Sequence, residues 1–72
     1  MITQEKLEKL QKYAQEKDPK IGVSFSQRGS VDVTYDGEHW ISLANKATSF
    51  LTIKSVKGYI DKCFERHVKI SS

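Results

Sequence analysis

The sequence predicts an α+β domain ordered helix–strand–strand–strand–helix, a three-stranded antiparallel meander packed against two helices. Three observations lead there. Apolar residues recur at helical spacing between Thr3 and Lys17. Three apolar–polar alternating runs, parted by glycine-containing turns, fill Lys20 to Ala44. Helical spacing then returns from Thr52 onward. Period 3.6 marks a one-sided helix and period 2 a half-buried strand. The 72 residues suit one domain, residues 1–72, and not two.

Thr3 is a good N-cap for the first helix, and Ile2 before it is spaced to pack on Leu7. Leu7, Leu10 and Ala14 form one stripe with Tyr13 at its edge. Asp18-Pro19 ends the helix, because a residue before proline avoids the α region.

The strand runs are Ile21, Val23, Phe25; Val31, Val33, Tyr35; and His39, Ile41, Leu43. Register follows from loop length, since a slip of one residue turns every side chain to the other face. A two-residue turn at Asp36-Gly37 is the obvious reading of that dipeptide. It pairs Val33 with Trp40 and Asp32 with Ile41, mixing apolar and charged groups. Three-residue loops closed by a left-handed glycine pair Phe25 with Val31, Val31 with Ile41 and Val33 with His39, and they keep one apolar face. Three-residue loops are therefore expected at both hairpins. Trp40 then stands alone on a polar face with Ser24, Asp32, Thr34 and Ser42.

Asn45 to Ser49 reads as loop, with Phe50 and Leu51 tucked under the core. Thr52 is the expected N-cap of the second helix, which runs to about Arg66 or His67. Its stripe is Ile53, Val56, Ile60, Cys63, Phe64 and His67, so Cys63 is expected to be buried. Val68 and Ile70 alternate with polar residues, as a short strand or a tail.

Composition narrows the class. The single cysteine allows no intrachain disulfide and suits a reducing cytoplasm. Met1 is followed almost at once by Glu5, Lys6, Glu8 and Lys9, unlike a signal peptide, and no apolar run is long enough to span a membrane. The net charge of +3 is unevenly spread. Residues 1–19 balance four lysines with four acids, whereas residues 45–72 carry five lysines and Arg66 against Asp61 and Glu65.

Catalytic equipment is not expected. Cys63, His67 and His39 are the only thiol and imidazole groups, too few for a four-ligand zinc site, and His39 lies on a distant strand. Asp32, Asp36 and Glu38 fall on or beside an open sheet face, with no cleft to pair them for acid–base chemistry. No glycine-rich run leads into a helix to hold a phosphate or cofactor. The expected protein is thus no enzyme and carries no cofactor or metal.

Two binding readings follow. The first is a protein-interaction module, a small cytoplasmic regulator or inhibitor of bacterial or phage type. Its anchor is Trp40, flanked by Ser24, Asp32, Thr34 and Ser42. The alternative is nucleic-acid binding through the basic second helix. Lys62, Arg66 and Lys69 are spaced four and three apart, Lys54 and Lys57 stand near the helix start, and Arg28 tips the first hairpin. The element order is similar in topology to the double-stranded-RNA-binding domain. That likeness implies RNA contacts at the first hairpin loop and at lysines opening the last helix. Here the loop is only Gln27-Arg28-Gly29, and Lys54 and Lys57 are all that matches the lysine cluster.

Overall fold

The computed structural model describes residues 1–46 and 51–71. The order is α1 (Gln4–Lys17), β1 (Ile21–Phe25), β2 (Val31–Tyr35), β3 (Glu38–Leu43) and α2 (Ile53–Ser71). The strands form one antiparallel sheet in sequence order, the predicted α-β-β-β-α fold.

Thr3 caps α1 by accepting a hydrogen bond from the Lys6 amide, and Ile2 and Leu7 are both buried. Past the helix end Asp18 joins two elements. Its carboxylate accepts from the Lys20 amide and from the Tyr35 hydroxyl, both at 3.0 Å, which ties the α1 terminus to the end of β2. At the opposite end Asn45 clamps the chain before α1. Its side-chain oxygen accepts from the Ile2 amide at 2.6 Å, and its side-chain nitrogen donates to the Ile2 carbonyl at 2.9 Å. One amide side chain thus stands in for a strand neighbour.

Leu7, Leu10 and Ala14 of α1 and Val56 and Ile60 of α2 share one buried cluster with Ile21, Val23, Val31, Val33 and Leu43 of the sheet. Those strand residues all have one parity, so both helices cover the same face. The other face carries Gly22, Ser24, Asp32, Thr34, His39 and Ser42, of which Ser24, His39 and Ser42 are exposed.

The first hairpin follows the expected register. Phe25 lies across from Val31 and Val23 across from Val33. Ser26 and Ser30 close a three-residue loop, in which Gly29 takes the left-handed φ of 83° that a side chain would resist.

The second hairpin differs from expectation. Tyr35 pairs with Glu38, so Asp36-Gly37 is a two-residue turn with φ of 51° and 85°. Positive φ at both positions is the primed turn that suits strand twist, and Asp-Gly tolerates it. The apolar parity survives because the register shifts between Val33 and Thr34. This β-bulge sets two β3 residues against one on β2. Val33 then faces Ile41 and Val31 faces Leu43, in place of the expected His39 and Ile41.

At α2, Thr52 acts as N-cap, accepting from the Ser55 amide at 3.1 Å. The helix continues through Val68 and Ile70 to Ser71, so that segment is neither strand nor tail. Its last turns outrun the sheet, leaving Ile70 79 % exposed. The expectation that Phe50 tucks under the core falls outside the described residues. Leu51 does pack, half-buried, against the core.

Candidate functional site

The bulge re-aims Trp40. Instead of standing among Ser24, Asp32, Thr34 and Ser42, its ring lies on the helix-bearing side, half-buried against the core. It stacks on Tyr35 with ring centres 5.0 Å apart and planes 7° from parallel. The His67 ring lies 4.3 Å from Tyr35 and 5.9 Å from Trp40. The group therefore buttresses the C-terminal half of α2 on the second hairpin. The other four residues of the expected platform do sit together. Asp32 lies between Ser24 and Ser42 and accepts a hydrogen bond from the Ser42 hydroxyl at 2.5 Å, while Thr34 neighbours Gly22 and His39. Without Trp40 that face is polar throughout.

The basic residues divide between the flanks of α2. Lys57 turns toward α1, its ammonium 4.8 Å from the centre of the Tyr13 ring. Lys62, Arg66 and Lys69 are exposed on the opposite flank, beside Ile41 of β3. Lys69 leans on Glu65 at 4.0 Å, one helical turn away. Lys54 and Arg28 are exposed. The six cations therefore do not form one continuous stripe.

The seam between the helices has its own polar network. The Tyr13 hydroxyl donates to Asp61 at 2.6 Å, and the Lys17 ammonium pairs with the same carboxylate oxygen at 2.9 Å. Partial burial opposes ionisation of Asp61, but the Tyr13 and Lys17 hydrogen bonds outweigh it and hold the carboxyl below its ordinary range. The Asp61 hydrogen bond raises the Tyr13 hydroxyl, and it raises Lys17 as well. The Lys20 amide, then the Tyr35 hydroxyl, lower Asp18.

These shifts predict acid sensitivity. A carboxylate depressed on folding adds stability above its unfolded pKa of about 4, and loses it as pH falls through the lower folded value. The melting temperature should therefore hold near neutrality and fall below about pH 4. Asp18→Asn with Asp61→Asn should melt lower at pH 7 and show a flatter acid limb. Equal steepness in parent and double variant would show that these two carboxylates do not govern the acid transition.

A shallow groove of about 570 Å³ lies between the outer flank of α2 and β3. Two helices leave the rim of the sheet incompletely covered, so Ile41 is only half-buried. Ile41, Tyr59 and Cys63 make an apolar floor, and Lys62, Arg66 and Lys69 with Glu65 make the rim. Cys63, expected in the core, is a free, half-buried thiol here. It lies on the shoulder of the helical stripe, where periodicity alone does not separate core from groove. Tyr59 is 41 % exposed and lies off the apolar stripe of α2, so helical spacing does not single it out. Among the described residues no three His, Cys, Asp or Glu side chains converge as metal ligands, and no helix is long and apolar enough to cross a membrane.

The two sheet edges are treated differently. The β1 edge lies under α1, and Gln11 donates its side-chain amide to the Val23 carbonyl at 2.9 Å. Among the described residues no strand or side chain bonds the outward backbone of β3. No family model matches the chain, and no significant match is found among curated proteins or solved structures.

Proposed function

We propose that the chain is a non-catalytic binding module for another protein, acting as a small cytoplasmic regulator or inhibitor. One observation carries this reading: the groove between α2 and β3, apolar at its floor and flanked by a strand edge that nothing pairs with among the described residues. Water-exposed tyrosine above aliphatic surface is a favourable composition for an interface centre. Docking there requires no rearrangement of the core. The interface anchor moves accordingly from Trp40 to Tyr59 and Ile41, while Trp40 holds the wall of the groove through α2. Nucleic-acid binding is the weaker reading, because Lys57 is turned to the opposite flank from Lys62 and Arg66.

A random peptide display library selected on the immobilised protein tests the reading. Enriched peptides should bind the native chain and lose binding to Tyr59→Asp, an exposed change that leaves the core intact. Failure to enrich any peptide, or binding indifferent to Tyr59→Asp, would reject the groove as a protein-binding site.

A further inference from the structure

We infer that the groove's occupant is an extended acidic segment of a partner protein, which adds to the outer edge of β3 as a fourth strand. This rests on the protein-binding reading above and specifies its geometry. An unpaired strand offers a row of amides and carbonyls to an incoming chain, and natural proteins commonly cover such edges. Here β1 is covered, and among the described residues nothing bonds the outward backbone of β3. Strand addition places the new backbone about 4.8 Å from β3. Its side chains then alternate between the open face, beside His39 and Ser42, and the helix-bearing face, beside Ile41.

Side chains on the helix-bearing side enter the groove. One finds the floor of Ile41, Tyr59 and Cys63, and suits an aliphatic residue. Those two positions away approach the rim, where three cations stand against the one carboxylate of Glu65. No carboxylate pairs with Lys62 or Arg66 among the described residues. The rim therefore selects Asp or Glu at these places. The expected ligand alternates polar residues with a mixture of aliphatic and acidic ones.

The same rim disfavours a second copy of this chain. Antiparallel pairing of β3 with β3 continues the sheet and sets both α2 helices on one face, with their basic flanks toward each other. Like charges so placed oppose association.

The test uses the full 72-residue chain and two synthetic ten-residue peptides. One has Thr at alternate positions with Val and Glu between them; the other replaces each Glu by Lys. Backbone amide NMR should show saturable shifts over Glu38 to Leu43 and at Lys62 and Arg66 with the Glu peptide only. N-methylation of alternate peptide amides should abolish binding, since strand pairing requires them. Lys62→Glu with Arg66→Glu should weaken affinity at least about tenfold, as should raised salt. Both residues are exposed, so melting should stay close to the parent's. Equal binding of the two peptides, binding unaffected by N-methylation, or shifts mapping elsewhere would overturn the proposal. So would concentration-dependent dimerisation through β3, or duplex RNA competing for Lys62 and Arg66. If display peptides map to Tyr59 without acidic enrichment, the protein-binding reading stands and the acidic-strand inference falls.

Discussion

Ile60→Ala should lower the unfolding free energy by about 2–5 kcal/mol, the range for truncating a buried aliphatic side chain. Ile60 is fully buried on α2 and faces the cluster built from α1 and the sheet. At roughly 0.05–0.15 kcal/mol per residue, a chain this short holds only about 4–11 kcal/mol in all. The substitution therefore removes a large part of the total. A substantial unfolded fraction is expected at physiological temperature, and the urea midpoint should fall with little change in slope. Ile60→Val, which deletes one methylene, should cost about 0.5–1.5 kcal/mol. A cost below about 1 kcal/mol for Ile60→Ala would mean that α2 does not dock through this face.

Trp40→Ala should cost about 2–3 kcal/mol, less than the 3–5 typical of a fully buried tryptophan. The ring is half-buried, so part of its surface already faces water, and what the variant loses is chiefly contact with Tyr35 and His67. A stacked aromatic pair adds about 0.5–1.5 kcal/mol beyond its area. Because Trp40 and His67 bridge β3 and α2, a cycle with His67→Ala should show coupling of about 0.5–1 kcal/mol. Partner capture should weaken as well, since the C-terminal half of α2 forms one wall of the groove. Additive losses, or a near-parent melting temperature for Trp40→Ala, would place Trp40 outside the fold's support. The single tryptophan makes emission a direct check: the spectrum should lie between those of exposed and fully buried indole.

Local signals carried much of the architecture. Both N-caps, Thr3 and Thr52, act as their positions predict, and Asp18-Pro19 closes α1. At the first hairpin, loop glycine and apolar parity agree, so one register satisfies both. At the second they conflict. Asp36-Gly37 favours a two-residue turn, whereas parity requires one more residue on β3. The chain meets both demands by adopting the turn and adding a bulge. Loop length alone does not reveal that solution, because the bulge lies inside the strand and carries Trp40 to the helix-bearing face. Cys63 and the end of α2 escape a local reading for another reason. A helical stripe gives the direction in which a residue points, but not whether the facing element extends far enough to cover it.

The sequence by itself determined the order of elements, their approximate limits, the apolar face of the sheet and the exposure of Lys62, Arg66 and Lys69. These follow from spacing, capping and parity within short stretches of chain. Tertiary structure alone decided that both helices share one face, that Trp40 joins Tyr35 and His67, and that Tyr13, Lys17 and Asp61 meet. It also decided that one sheet edge is covered while the other borders a groove. Each depends on where separate elements come to rest against one another. That placement is set by the summed packing of the whole core, which no local stretch of sequence contains.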